Sequence, residues 1–420
     1  MSPLETAANK MVSLAEARSE QWRDELATND KGKPDGSAIN VATALELAPE
    51  LRGIIGYNTF DQRAMLLKAP PWQRGRFERR PWTDADDTEL LLWLQANGVP
   101  LRSLGTVTDT ARMVARRHGF DPLAKYLTGV SWDGSPRLDA WLTTYLDAEP
   151  TKLNRAIARA FLISAAARGL DPGCQVDHVL CLESAQGKGK TETVRTLGGE
   201  WTQENLPDMH SKDGITALSG AWFVELSELA AMGRSEVEAV KAFISRRVDR
   251  YRPAYGRHVV EQPRRCVFIA TTNEGQYLRD RTGNRRFWPV KCGAVNLDAL
   301  REDRDQLFAE AVAAYQAGEP WHFTDPETIH AAQLEQMARV EHDPWQADIA
   351  DHMQGKTSIT TSQLLDMLGI ERGRSSAPQA KRIAGIMREL GFDCIEDQSQ
   401  RRHGGTREVI WTINRTEGRP

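Results

Sequence analysis

One run limits the fold more than any other: Val179-Leu180-Cys181-Leu182-Glu183-Ser184-Ala185-Gln186-Gly187-Lys188-Gly189-Lys190-Thr191. An apolar strand passes into a glycine-containing loop that ends in Gly-Lys-Thr and opens a helix. Further short apolar runs, at 222–224, 266–270 and 287–290, alternate with polar or helical segments. Such runs suit the buried strands of an α/β sheet.

The loop has the chemistry of a P-loop. A phosphate chain needs successive backbone N–H groups turned inward, and Gly187 and Gly189 allow that without a Cβ clash. Ser184, Ala185, Gln186, Gly187, Lys188, Gly189, Lys190 and Thr191 form the expected ATP-binding set. Lys190 would reach the β- and γ-phosphates, Thr191 would ligate Mg²⁺, and the helix would aim its N-terminus at the anion. Ser184 stands where the first glycine of such loops usually lies. An acid at the end of a neighbouring strand is needed next, and Ala221-Trp222-Phe223-Val224-Glu225-Leu226-Ser227-Glu228 offers two. Glu225 is read as the metal-side acid and Glu228 as the base that activates water, with the reverse assignment open. The strand 266–270 ends in Thr271-Thr272-Asn273, and Asn273 suits the polar residue that positions the attacking water in ring-forming P-loop ATPases. Arg285 or Arg286, just before the run at 287–290, is the expected guanidinium for a neighbouring subunit's γ-phosphate.

Hydrophobic residues make up 40% and charged residues 27% of the 420-residue chain, which excludes collagen-like and wholly disordered classes. No apolar run approaches the roughly 20 residues of a membrane span, and the N-terminus lacks the apolar stretch of a signal peptide. A cytoplasmic protein is expected. The five cysteines form no Cys-x-x-Cys pair and read as buried thiols. Along the chain, a polar segment 1–36, a mainly helical domain 37–150, an ATPase core 151–340 and a small C-terminal domain 341–420 are expected.

The net charge of −4 hides local basic surface. Between the acids and Asn273, Arg246, Arg247, Arg252 and Arg257 interleave with Tyr251 and Tyr255, a composition that suits a phosphodiester or a subunit interface. From 356 onward, eleven Lys/Arg face eight Asp/Glu, so this segment is positive by three and the remainder stands at −7. Its pattern of helix, helix and hairpin is winged-helix order. Lys381 and Arg382 would lie on the second helix, and Arg401 and Arg402 at the wing tip, as DNA contacts.

Together these residues resemble the virulence-associated protein E family of phage and prophage-island P-loop ATPases, relatives of superfamily 3 helicases. The resemblance also takes in Ala69-Pro70-Pro71-Trp72, Trp82-Thr83-Asp84, Val114-Ala115, His118, Tyr126-Leu127, Trp132-Asp133-Gly134 with Arg137-Leu138, and Pro172-Gly173-Cys174-Gln175-Val176-Asp177. Downstream it includes Val224–Leu229, Phe243-Ile244-Ser245-Arg246, Arg252–Arg257 and Thr282–Val290. It implies an ATP- and Mg²⁺-dependent motor or loader, helicase-like, acting on single-stranded or forked DNA in replication of a mobile element, often as a hexameric homo-oligomer. Relatives are frequently fused to a primase. The first 150 residues here carry no Cys-rich zinc module and no recognisable primase site, which leaves a separate primase as a partner. The implied fold is an α/β P-loop ATPase core with a helical N-terminal domain and a C-terminal winged helix. The competing reading is an ATP-gated origin-binding or assembly protein without strand-unwinding activity.

Overall fold

The computed structural model describes residues 21–204, 211–227, 234–252, 259–278, 283–341, 343–370, 377–396 and 409–413. They form two compact units. One runs to Tyr277 and resumes up to Ala338; the other holds Leu278 and the chain from Arg339 onward.

The first unit opens with α1 (Ala38–Leu47), β1 (Ile55–Asn58), β2 (Arg63–Leu66), β3 (Arg80–Pro81), α2 (Asp84–Ala96), α3 (Leu104–Arg117) and β4 (Gly119–Phe120). The strands pair in the order β3-β2-β1-β4. The helices expected over 37–150 are present, and a small sheet that was not expected stands beside them. The strands are two to four residues long, too short for an alternating pattern to register in sequence. They are set instead by a local turn. The Asn58 carboxamide oxygen accepts from the Phe60 and Asp61 N–H groups at 3.0 and 3.1 Å, and Gln62 takes φ +59°. Helix α2 starts where Trp82-Thr83-Asp84 places it. The Asp86 carboxylate accepts from the Thr83 N–H at 2.9 Å and from both Arg80 Nη atoms at 2.6 and 2.8 Å. This layer has its own core around Trp22, Val41, Leu45, Leu90, Leu94, Val107 and Val114.

The sheet core follows: α4 (Pro122–Gly129), α5 (Trp141–Leu146), α6 (Lys152–Leu170), β5 (Val179–Glu183), α7 (Lys190–Gly198), β6 (Thr202–Gln203), α8 (Lys212–Thr216), β7 (Phe223–Leu226), α9 (Arg234–Ile244), β8 (Val248–Tyr251), β9 (Val260–Pro263), β10 (Val267–Thr272), β11 (Phe287–Lys291), α10 (Leu297–Gln316) and α11 (Pro326–Ala338). Leu123, Leu127, Trp141 and Leu142 join the same apolar cluster as Leu180 and Phe308. The core therefore begins near 122, not at 151. Five of these strands form one sheet with every pair parallel, in the order β11-β5-β10-β7-β6. From β5 the chain runs to the far edge, returns through β7 and β10, and then places β11 on the other side of β5. Connections therefore part at β5, which opens a crevice at the strands' carboxyl ends. The pair β8–β9 is an antiparallel hairpin set off from that sheet.

The second unit contains α12 (Pro344–Met353), β12 (Ser358–Thr360), α13 (Thr361–Met367), α14 (Ala377–Glu389), β13 (Phe392–Glu396) and β14 (Val409–Ile413). Its antiparallel sheet runs β12-β14-β13. Ile349, Leu364, Ile383, Met387 and Trp411 form its core, and the Trp411 indole donates to the Thr361 hydroxyl at 3.0 Å. No helix among the described residues is long and apolar enough to cross a membrane.

Candidate functional site

The crevice at the end of β5 holds the loop that the sequence singles out. Gly187 and Gly189 take φ +75° and +89°, a region that costs an L side chain about 1 kcal/mol or more. A Cβ on Gly189 would also stand 3.4 Å from the Val295 Cβ. These turns fold the loop back over the helix start, where Lys190 is buried. Its ammonium donates to the Ser184 carbonyl at 2.7 Å, the Ser184 hydroxyl at 3.0 Å, the Ala185 carbonyl at 3.1 Å and the Asn273 carboxamide oxygen at 2.9 Å. Burial holds the Lys190 pKa below the usual lysine value, against the smaller upward pull of Cys292 and Glu225.

One strand beyond β10, Glu225 is buried on β7. Its Oε1 accepts from the Thr191 hydroxyl and from the Thr271 hydroxyl, each at 2.8 Å. Two hydroxyls thus fix one carboxylate against the start of α7. Thr271 is a site residue that the sequence reading missed; the signal was a threonine at the polar end of an otherwise apolar strand. Behind the loop, the Tyr277 hydroxyl donates to Glu183 Oε1 at 2.7 Å, and Glu183's carbonyl accepts from the Cys292 N–H at 2.7 Å. The cavity in front is about 680 Å³ and is lined by Gln186–Glu192, Glu204, Glu225, Ser227 and Thr271–Glu274. At its rim Arg195 is held between Glu192 and Glu204.

Residues 127–370, more than half of the chain, match the model of the virulence-associated protein E-like domain. The chain belongs to this family. It is also similar to solved structures of the NrS-1 C-terminal region. An A-form apo structure covers 90% of this chain and 100% of its own, at 12% identity and TM-score 0.45. A second apo structure covers 86% and 96%, at 11% identity and TM-score 0.45. No curated protein matches the chain.

In this virulence-associated protein E-like chain, the expected residues separate into three groups. Ser184 to Thr191, Glu225 and Asn273 come together at one crevice. Glu228, Tyr255, Arg257, Arg401 and Arg402 lie outside the described residues. The remaining arginines and Lys381 lie elsewhere. Neither Arg285 nor Arg286 lines the cavity of its own chain. Arg285 is exposed, whereas the half-buried Arg286 donates from Nε to the Ser245 hydroxyl at 2.8 Å. Arg246 lies over the Phe243 ring at 5.3 Å, and Arg247 donates to the Gly173 carbonyl at 2.7 Å. Arg252, just past β8, is exposed, as is Lys381 on α14. Arg382 is not the free basic contact that its sequence position suggests. It holds Asp343 through two bonds of 2.7 Å and lies 3.8 Å over the Trp345 ring, so its guanidinium is engaged inside the unit. Burial raises the Asp343 pKa, but bonding to Arg382 and the Trp345 N–H outweighs it and holds the carboxyl below the usual range.

Proposed function

We propose that this chain is a Mg²⁺-dependent ATPase whose hydrolysis drives work on DNA in replication of a phage or prophage-type element, as a homo-oligomeric, hexameric ring. The observation that carries the reading is the Lys190 and Thr191–Glu225 constellation at the switch point of a parallel sheet. In this reading the loop 184–191 is a P-loop. Its backbone N–H groups cradle the phosphates, and Lys190 moves from its carbonyl acceptors to the β/γ-phosphate oxygens. Thr191 and Glu225 supply hard oxygen ligands side by side, the donor type that Mg²⁺ takes. Bound there, Mg²⁺ would neutralise charge on the phosphate oxygens. Asn273, within reach of Lys190, orients the attacking water, and Glu228 takes its proton. Since Arg286 is tied to Ser245, the exposed Arg285 is the better residue to complete a neighbouring protomer's site. The C-terminal unit, with helices ahead of an antiparallel sheet, is read as a winged helix that contacts DNA.

The test is phosphate release and strand displacement by the purified full chain, with Mg²⁺-ATP and a forked DNA. DNA-stimulated hydrolysis with displacement is expected. Hydrolysis-independent, site-specific binding without displacement would replace the motor with an ATP-gated assembly protein. No Mg²⁺-dependent hydrolysis under any of these conditions would overturn the ATPase reading.

A further inference from the structure

A second cavity, of about 700 Å³, lies in the first unit between the N-terminal layer and the end of the β8–β9 pair where Tyr251 stands opposite Val260. Three aromatic side chains line it: Tyr57 of β1, Trp82 ahead of α2, and Tyr251 at the end of β8. Each is half-buried, with a polar end already held. The Tyr251 hydroxyl donates to Gln262 Oε1 at 2.9 Å, the Trp82 indole donates to Asp87 Oδ1 at 2.8 Å, and the Tyr57 hydroxyl donates to Gln62 Oε1 at 3.2 Å. The rings are therefore fixed by their edges.

Two arginines, Arg112 and Arg116, line the same cavity from α3. They stand one turn apart, a spacing at which like charges repel. Both are exposed, and among the described residues neither forms an ion pair; Arg116 lies 5.5 Å from the Tyr57 ring centre. None of the cavity's carboxylates pairs with either arginine. Asp61 pairs with Arg63 at 2.7 Å. Asp87 accepts from Trp82 and, at 2.8 Å, from the Thr108 hydroxyl. Asp84 is the first residue of α2, where the positive helix end offsets it. What is left is a pair of guanidiniums that, among the described residues, no carboxylate bonds, beside fixed aromatic faces.

We infer that this cleft binds single-stranded DNA, with Arg112 and Arg116 on two phosphates and Tyr57, Trp82 and Tyr251 as stacking surfaces. Paired guanidiniums suit phosphate oxygens. Stacking on an aromatic face needs an unpaired base and tolerates any sequence. A cleft of this volume accepts bases singly and not a duplex. The site lies apart from the loop at 184–191 and uses none of the basic residues singled out from the sequence.

The inference rests on DNA being the partner, so the experiment separates the two claims. Fluorescence anisotropy of a labelled oligothymidine is followed across a salt series with the full chain and no nucleotide. The Arg112→Ala/Arg116→Ala variant should bind more weakly, and its slope of log affinity against log salt should shrink by about 1.4, roughly 0.7 for each lost phosphate contact. Arg112→Lys/Arg116→Lys should keep the slope. A 5-iodouracil-substituted strand should crosslink to peptides that carry Tyr57, Trp82 or Tyr251. Wild-type protein that binds no single strand would overturn both the inference and the DNA reading beneath it. Wild-type binding with an unchanged slope in the alanine variant, or crosslinks confined to other peptides, would overturn the cleft alone.

Discussion

Two cavities lined by the described residues are nearly equal in volume, about 680 and 700 Å³, and opposite in construction. In the first, charge is buried and already answered: Lys190 has four acceptors within reach, and Glu225 has two hydroxyl donors. In the second, two exposed guanidiniums have no bonded carboxylate among the described residues, and the fixed elements are aromatic rings. A buried cation held beside a glycine loop suits one compact anion, to which it can pass from its protein acceptors. Exposed arginines beside rings suit a long anion held loosely and through many weak contacts. The difference teaches that cavity size says little here, and that the state of the charges says what each cavity can do.

The sharpest way to break this comparison is Lys190→Ala. It should abolish ATP turnover, with a loss on the order of 10³-fold or more, and leave oligothymidine affinity without nucleotide unchanged. A variant that loses both activities would make the two cavities one functional unit. Arg285→Ala comes next. It should keep ATP binding and lose roughly a thousandfold in turnover, and mixing it with Lys190→Ala should restore some activity. Arg286→Ala should instead lower the melting temperature through loss of the Ser245 contact. If the two arginines exchange these effects, the finger is Arg286.

Thr271→Val tests the hydroxyl pair on Glu225. It removes one bond to a buried carboxylate without changing shape, so turnover in steady-state assays should fall about tenfold, the scale of a charge-assisted hydrogen bond. Thr271→Ser should restore it. Unchanged turnover in the valine variant would leave Thr191 as the one hydroxyl that matters.

The smallest effect concerns the start of α2. Burial alone would raise the Asp86 carboxyl, but bonds from Arg80 and Thr83 bring it down to about 2. A carboxyl lower in the folded than in the unfolded chain adds stability above its unfolded value, near 4, and loses it as pH falls through its folded value. Asp86 should therefore add about 2 kcal/mol at neutral pH, lost between about pH 4 and 2. Urea unfolding over that range, compared with Asp86→Asn, checks this; identical pH profiles would remove Asp86 as the cause.

The first cavity was legible because its parts are local. Strand, loop and Lys-Thr are contiguous from 179 to 191, and Glu225 and Asn273 each terminate an apolar run that is buried on both faces. The strand order was not legible, since the same runs fit several orders. The second cavity gave only a scattered signal, with Tyr251 in a run read as suited to a phosphodiester and Trp82 at a helix start. Tyr57, Trp82, Arg112 and Tyr251 come from separate segments that only tertiary packing joins, and the small N-terminal sheet that carries Tyr57 has no period long enough to see. The ion pair of Arg382 was hidden for a related reason: its partner Asp343 lies 39 residues upstream, and only the folded unit brings them together. Thr271 was passed over because its role depends on a glutamate 46 residues upstream.

The central claim is that the loop at 184–191 binds the phosphates of Mg²⁺-ATP. A crystal structure of the chain with Mg²⁺ and a non-hydrolysable ATP analogue tests it most directly. The β- and γ-phosphate oxygens should lie within hydrogen-bond distance of Lys190 Nζ and the N–H groups of Gly187 to Thr191, with Mg²⁺ beside the Thr191 hydroxyl and the Glu225 carboxylate. Analogue bound elsewhere, or density for it with Lys190 still bonded to Ser184, Ala185 and Asn273, would contradict the claim.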